Sequence, residues 1–94
     1  NSLRQEGVRL FVASNGSAQW VEPLLDHHFG RSTFEHIVTP TDVRKLKPEP
    51  DLFLRLLRRA KLRTNRVVAI EDSAVGLRAA HRAGLSASSL HRHR

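Results

Sequence analysis

Short apolar runs alternate along the chain with segments in which apolar residues recur at the spacing of a helix. The runs at residues 8–13, 34–39 and 66–70 have the length of strands, and the last is rich in β-branched residues, as buried parallel strands are. Strands that alternate with helices form right-handed βαβ units, which build a parallel sheet covered by helices. The pattern therefore predicts an α/β fold with a short parallel sheet.

Three helices are predicted around these strands. The helix at residues 51–60 is the clearest, since one apolar stripe runs along it: Leu52, Phe53, Leu56, Leu57 and Ala60. Another helix follows the last strand, at about residues 74–83. The first helix contains Pro23, which allows two possibilities: the helix kinks there, or its regular part begins near Glu22 with Pro23 in the first turn.

The composition indicates one small domain and excludes several classes of site. The 94 residues include no cysteine, so neither a disulfide framework nor a thiolate metal site exists. No apolar run is long enough to cross a membrane. The formal net charge is +7, but no aromatic residues interleave with the basic residues at 55–66, so nucleic-acid binding is not expected. The polar, basic tail at residues 86–94 is expected to be disordered.

Two carboxylates stand where the last predicted strand ends. Glu71 and Asp72 follow the apolar run directly, and Ser73 comes next. Open α/β sheets bind ligands at the carboxyl ends of their strands, and Mg²⁺ prefers carboxylate oxygen and water, so this pair is a candidate metal site. Asp72 and Ser73 are also suited to cap the helix that follows. From these residues alone both interpretations stand.

Three stretches of sequence carry a resemblance to a known family. In order they are Val12-Ala13-Ser14-Asn15-Gly16-Ser17, then Lys47-Pro48-Glu49-Pro50-Asp51, then Ile70-Glu71-Asp72-Ser73 followed by Gly76, Ala79, Ala80, Ala83 and Gly84. Together they closely resemble the second, third and fourth motifs of the haloacid dehalogenase-like hydrolase superfamily, in the branch of β-phosphoglucomutase and phosphoglycolate phosphatase. The resemblance implies a partial Rossmann-like core of three layers.

The same resemblance implies a Mg²⁺-dependent phosphatase or phosphomutase of the cytoplasm, acting on small phosphorylated metabolites through an aspartyl phosphate. Ser14 would hydrogen-bond a phosphoryl oxygen, helped by the backbone N–H of Asn15. Lys47 would neutralise charge on the phosphoryl group and on the attacking carboxylate. Asp72 would bind Mg²⁺, with Glu71 in support. A fixed cation and a metal stabilise developing negative charge, on which phosphoryl transfer mainly depends.

The family's first motif, Asp-x-Asp-x-Thr or Asp-x-Asp-x-Val, does not occur in these 94 residues. In the family this motif lies on the central strand, flanked by the strands of the second and fourth motifs. We therefore expect residues 1–85 to be the C-terminal portion of such a core, without its central strand and its cap domain, and inactive alone. Either the strands at residues 8–13 and 66–70 pair directly, or an apolar, aggregation-prone slot separates them.

A non-catalytic function is the alternative. The motifs would then be inherited without activity, and the basic surface would hold a polyanion or a partner chain. Binding to a polyanion would weaken steeply as salt increases, which distinguishes this alternative from a metal-dependent enzyme.

Overall fold

A computed structural model describes residues 5–30 and 32–89 of the chain. The order of elements is β1 (Phe11–Ala13), α1 (Ala18–Phe29), β2 (His36–Val38), α2 (Asp51–Ala60), β3 (Val68–Glu71), α3 (Ala74–Arg82) and β4 (Ser86–Ser89). Short 3-10 helices lie at Pro40–Asp42 and Thr64–Arg66. The predicted alternation of short strands and helices is confirmed.

The strands form two parallel pairs instead of one continuous sheet. β1 pairs with β2 from Phe11 opposite His36 to Ala13 opposite Val38. β3 pairs with β4, also in parallel. In the described part of the chain no ladder of hydrogen bonds joins β1 to β3. Direct pairing of these two strands, the first of the two expected arrangements, is therefore wrong.

A cleft of about 860 Å³ separates β1 from β3. Residues of both strands line it, together with Phe53 and Leu56 of α2. Two apolar side chains of β3 that line the cleft are largely exposed, Val68 at 65% and Ile70 at 68%. The second expected arrangement, an open slot with an apolar edge, is the one present.

The backbone of β1 is paired on one side and open on the other. The Leu10 carbonyl accepts a hydrogen bond from the Glu35 N–H, and the Ser14 N–H donates to the Val38 carbonyl, so both residues bond toward β2. Successive residues of a strand direct their backbone groups to opposite sides. The N–H and C=O of Phe11 and Ala13, whose numbers alternate with those two, therefore face the cleft.

Helix α2 packs against both strand pairs. Leu52 and Leu56 pack with Val38 of β2. On the other side Phe53 and Leu57 belong to a second cluster, which continues through Ala69, Ala79, Ala80, Ala83 and Leu85. The whole predicted stripe of α2 is buried, as expected. This helix therefore holds the two halves of the molecule on either side of the cleft.

Two predictions about element boundaries are settled by the structure. α1 runs from Ala18 through Pro23 to Phe29, so it does not begin near Glu22. The prediction of a disordered tail is wrong for Ser86–Ser89, because this polar segment satisfies its backbone by pairing with β3. The rest of the predicted tail, residues 90–94, lies outside the described residues. None of the described helices combines the length and the apolar character needed to cross a membrane.

Candidate active site

Lys47 lies where the carboxyl ends of β1 and β3 approach each other. Its ammonium donates to the Ala13 carbonyl at the end of β1, with an Nζ···O distance of 2.8 Å. It also donates to the Glu71 carboxylate at the end of β3, at 2.9 Å, and lies 5.0 Å from the centre of the Phe53 ring. The side chains of Lys47 and Glu71 are only 10% and 12% exposed. The two strand pairs thus share one cation that is largely shielded from water.

The loop that carries Lys47 is fastened on two sides. The Asn15 side chain accepts from the Lys47 N–H at 3.0 Å and donates to the Lys47 carbonyl at 3.4 Å. From α3, Arg82 donates to the Glu49 carboxylate at 2.9 Å and to the Pro48 carbonyl at 3.4 Å. The peptide bond between Lys47 and Pro48 is cis. These contacts hold the backbone from which the Lys47 side chain extends into the molecule.

Ser14 turns the chain out of β1 at the same end of the strand. Its Oγ accepts a hydrogen bond from the Gly16 N–H at 2.9 Å, which leaves the hydroxyl hydrogen available to a ligand. A Cβ on Gly16 would come 2.9 Å from Val21 Cγ2 and 3.3 Å from Ser14 Oγ. The tight turn after Ser14 therefore favours glycine at position 16.

Asp72 lies in the turn between β3 and α3. Ser73 is the cap of α3, because its Oγ accepts from the Gly76 N–H at 3.0 Å. The side chain of Asp72 is exposed and makes no hydrogen bond or ion pair with any residue that the structure describes. Helix capping thus belongs to Ser73, and the Asp72 carboxylate is available to a metal.

Gly76 provides the space that Glu71 occupies. A Cβ on this buried glycine would overlap the Glu71 carboxylate. The start of α3 therefore accepts the carboxylate that binds Lys47 only because residue 76 has no side chain.

The acidic residues fit a Mg²⁺ site in part. In residues 5–30 and 32–89 no three His, Cys, Asp or Glu side chains come together as a metal centre. Asp72 offers a carboxylate with no partner among residues 5–30 and 32–89, whereas Glu71 is held by Lys47. Because Mg²⁺ requires an octahedral set of oxygen ligands, Asp72 would need further ligands from water or from another segment.

Of the five predicted site residues, Ser14 and Asn15 follow β1, and Glu71 and Asp72 lie at the end of β3. Lys47 lies in the loop between β2 and α2, from which its ammonium contacts both Ala13 and Glu71. Their predicted roles toward phosphate and metal stay predictions. The ion pair between Arg82 and Glu49 could not be predicted from sequence, since neither charge belongs to a periodic pattern. The contacts of the Asn15 side chain with the Lys47 backbone were likewise not predicted.

Comparisons with known proteins agree with this architecture. Residues 1–84 match the profile of the haloacid dehalogenase-like hydrolases, and the chain belongs to this family. CbbY of Cereibacter sphaeroides is 41% identical over 85 residues, which cover 87% of this chain and 37% of CbbY. The fructose-1-phosphate phosphatase YqaB of Escherichia coli is 33% identical over 82 residues, covering 86% of this chain and 44% of YqaB. The chain thus spans about two fifths of the length of these two relatives.

Solved structures share the fold. The crystal structure of CbbY from Rhodobacter sphaeroides in complex with phosphate has a TM-score of 0.83 and 39% identity, covering 90% of this chain and 39% of that one. A protein from Bacteroides fragilis described as haloacid dehalogenase-like hydrolase has a TM-score of 0.89 and 28% identity, covering 94% of this chain and 42% of that one. The predicted α/β class, with its Rossmann-like arrangement, is confirmed.

Proposed function

We propose that residues 1–85 are the C-terminal portion of the catalytic core of a Mg²⁺-dependent phosphatase or phosphomutase, acting on small phosphorylated metabolites. The observation that carries the proposal is the shielded ammonium of Lys47, held between the ends of two strands and next to the turn of Ser14. The relatives give support, since YqaB is named a fructose-1-phosphate phosphatase and CbbY has been crystallised with phosphate. The cytoplasmic location stays a prediction.

In this proposal the chain supplies donors for the phosphoryl group. An ammonium carries three N–H bonds, and Ala13 and Glu71 use two of those of Lys47, so one is available for a phosphoryl oxygen. The hydroxyl of Ser14 and the N–H of Asn15 would add neutral donors. A cation shielded from water interacts more strongly with developing negative charge than an exposed one, and it is already in place before the reaction.

The attacking aspartate would come from a strand that occupies the cleft between β1 and β3. Such a strand would bond to the N–H and C=O of Phe11 and to the N–H of Ala13, which are unpaired within the described sheet, whereas the Ala13 carbonyl already accepts from Lys47. Its carboxyl end would then reach the surroundings of Lys47. Because no Asp-x-Asp occurs in these 94 residues, we expect the chain alone to be inactive toward phosphate esters.

Mg²⁺ would supply positive charge beside the phosphoryl group when bound. We propose that Asp72 is its ligand in this chain, since this carboxylate is exposed and has no partner in the described part of the chain. The strand in the cleft would contribute further oxygen ligands. Glu71 would support the site indirectly, because its carboxylate accepts a hydrogen bond from Lys47 and so positions the ammonium.

A chimera tests this proposal. The matched part of Cereibacter sphaeroides CbbY is replaced by residues 1–85 of this chain, so that the remainder of CbbY supplies the absent elements. We expect hydrolysis of p-nitrophenyl phosphate, and a loss of about a hundredfold or more in kcat/KM for Lys47→Ala, because a preorganised donor to the reacting group is removed. Lys45→Ala is the matched control, since this exposed lysine belongs to the same loop, and its activity should be unchanged. A folded chimera that is equally active with alanine at position 47 would refute the role of Lys47.

Two further measurements address the rest of the site. Asp72→Asn in the chimera should raise the Mg²⁺ concentration required for half-maximal activity, whereas an unchanged requirement would remove Asp72 from the metal site. The chain alone should not hydrolyse p-nitrophenyl phosphate. Hydrolysis by the chain alone that disappears in Asp72→Asn would show that no other segment is needed.

A further inference from the structure

A second groove lies on the side of α2 that faces away from the core. It has a volume of about 240 Å³ and is bounded by α2 and by the segment that follows the Pro40–Asp42 helix. Its lining residues are Val43, Arg44, Asp51, Leu54, Arg55 and Arg58. It shares no lining residue with the cleft between β1 and β3, so the two are separate sites.

The groove carries an excess of positive charge. Three arginines, Arg44, Arg55 and Arg58, are among its lining residues, together with a single acidic residue, Asp51. None of these three arginines has an ion-pair partner among residues 5–30 and 32–89. Three cations and one anion leave a net charge that a dianion would neutralise.

The segment that carries Arg44 is fixed to α2. The carboxylate of Asp42 accepts from the Thr39 N–H at 2.8 Å and from the Arg59 guanidinium at 2.9 Å. Because these two partners already engage Asp42, it does not neutralise Arg44, two residues further on. The ion pair between Asp42 and Arg59 holds the segment of Arg44 near the turn of α2 that carries Arg55 and Arg58. The groove therefore exists before any ligand binds.

We propose that this groove binds the dianionic phosphate group of a small phosphorylated molecule. Guanidinium groups present paired N–H donors that match phosphate oxygens in a bidentate arrangement. Val43 and Leu54, the latter 43% exposed, offer apolar contact to a short carbon skeleton. The volume is below the roughly 300–1,000 Å³ of pockets for drug-sized ligands, which favours a small phosphate monoester. This site does not depend on the proposed catalytic function.

The test is a titration of the full 94-residue chain with glycerol 2-phosphate, followed through the arginine Nε–Hε signals in NMR spectra. We expect the signals of Arg44, Arg55 and Arg58 to shift along one saturable curve, while that of Arg63 does not saturate. Arg55→Gln should weaken binding about tenfold or more, since it removes charged hydrogen bonds to the ligand. Arg63→Gln, an exposed arginine outside the groove, is the matched control and should leave the affinity unchanged.

Inorganic phosphate and glycerol serve as further probes. Saturable shifts with inorganic phosphate as well would mean that the groove recognises the anion alone, which the proposal includes, and glycerol should cause none. If all arginine signals shift in parallel with each anion and do not saturate, the proposal is overturned, because an increase in ionic strength affects all exposed charges in this way. Unchanged affinity in both Arg55→Gln and Arg58→Gln, with dispersed spectra that show folded protein, would also overturn it.

Discussion

Gly76 leaves the space in which the Glu71 carboxylate forms its largely shielded ion pair with Lys47. Replacing a helical glycine by alanine usually stabilises a protein by roughly 0.5–1 kcal/mol. Here we expect Gly76→Ala to lower the free energy of unfolding by about 1–2 kcal/mol. The new Cβ displaces the Glu71 carboxylate, and the charged hydrogen bond to Lys47, worth about 1.5–3 kcal/mol, is lost. Urea denaturation of the two proteins measures the difference.

A variant without the Glu71 carboxylate tests why Gly76→Ala is expected to destabilise this chain and not to stabilise it. In a chain that already carries Glu71→Ala, the added Cβ of Gly76→Ala meets no carboxylate. The substitution should then stabilise the chain, as helix propensity predicts, and the two sites should show strong coupling in a double-mutant cycle. Equal effects of Gly76→Ala in both backgrounds would mean that Glu71 is not what the glycine accommodates.

Asp42 is an acidic residue whose pKa is lowered by folding. The main cause is the hydrogen bond from the Thr39 N–H, and the Arg59 guanidinium adds to it. A carboxyl with a depressed folded pKa stabilises the native state above its unfolded pKa, about 3.9, and this contribution is lost as pH falls through the folded pKa. We expect Asp42→Asn to reduce the free energy of unfolding at about pH 7, with the difference from wild type shrinking below about pH 4. A difference that stays constant on acidification would contradict this.

The sequence proposes candidate site residues, whose roles stay predictions, but it could not predict their contacts. Motifs single out Ser14, Lys47 and Asp72. Ser14 follows β1 and Asp72 follows β3, and the ammonium of Lys47 lies between the ends of these two strands. The hydrogen bond from Lys47 to Glu71 joins residues 24 positions apart, and those between Asn15 and Lys47 join residues 32 positions apart. Such contacts depend on which strands flank the cleft, and this arrangement cannot be derived from the spacing of residues along the chain.

At the end of α2, Lys61 adopts a backbone conformation that is strained for a residue with a side chain. Lys61 has a left-handed backbone, with φ 56° and ψ 44°, and its N–H donates to the Arg58 carbonyl. Glycine is preferred at this position of a helix end because it has no Cβ to strain. We expect Lys61→Gly to raise the free energy of unfolding by roughly 0.5–1 kcal/mol, measured by thermal or urea denaturation.

Arg63→Gly is the control for this prediction. Arg63 has an ordinary extended backbone, with φ −89°, so glycine there only increases the entropy of the unfolded chain. It should lower the stability slightly. Stabilisation by both substitutions, or by neither, would mean that the left-handed conformation of Lys61 is not the cause.

The helix with a strong apolar stripe, α2, was predicted with its bounds, whereas the strand β4 was not predicted. β1 and β2 are shorter than the apolar runs that predict them, and β3 is shifted toward Glu71. The bounds of α2 agree with the prediction because its buried apolar residues recur at helical spacing along its whole length. β4 was missed because its residues, Ser86–Ser89, are exposed and polar, and only pairing with β3 makes them a strand. The course of α1 through Pro23 could not be chosen from sequence, since both possibilities satisfied the local rules.

At the scale of the whole molecule the cleft is the dominant feature. One helix, α2, packs against β2 on one side and against β3 and α3 on the other, while the edges of β1 and β3 stay apart. The sequence predicted that a central strand was lacking but left open whether the flanking strands would pair. The packing of α2 explains the outcome, because closing the cleft would require Phe53 and Leu56, which line it, to move away.

We propose that a strand fills this cleft and completes the site of Lys47. Amide hydrogen exchange in the chain alone and in the CbbY chimera tests this most directly. We expect the N–H groups of Phe11 and Ala13 to exchange rapidly in the chain alone and to become protected in the chimera. The Ser14 N–H, bonded to the Val38 carbonyl at 2.9 Å, should be protected in both. Rapid exchange of Phe11 and Ala13 in a folded chimera would contradict the claim.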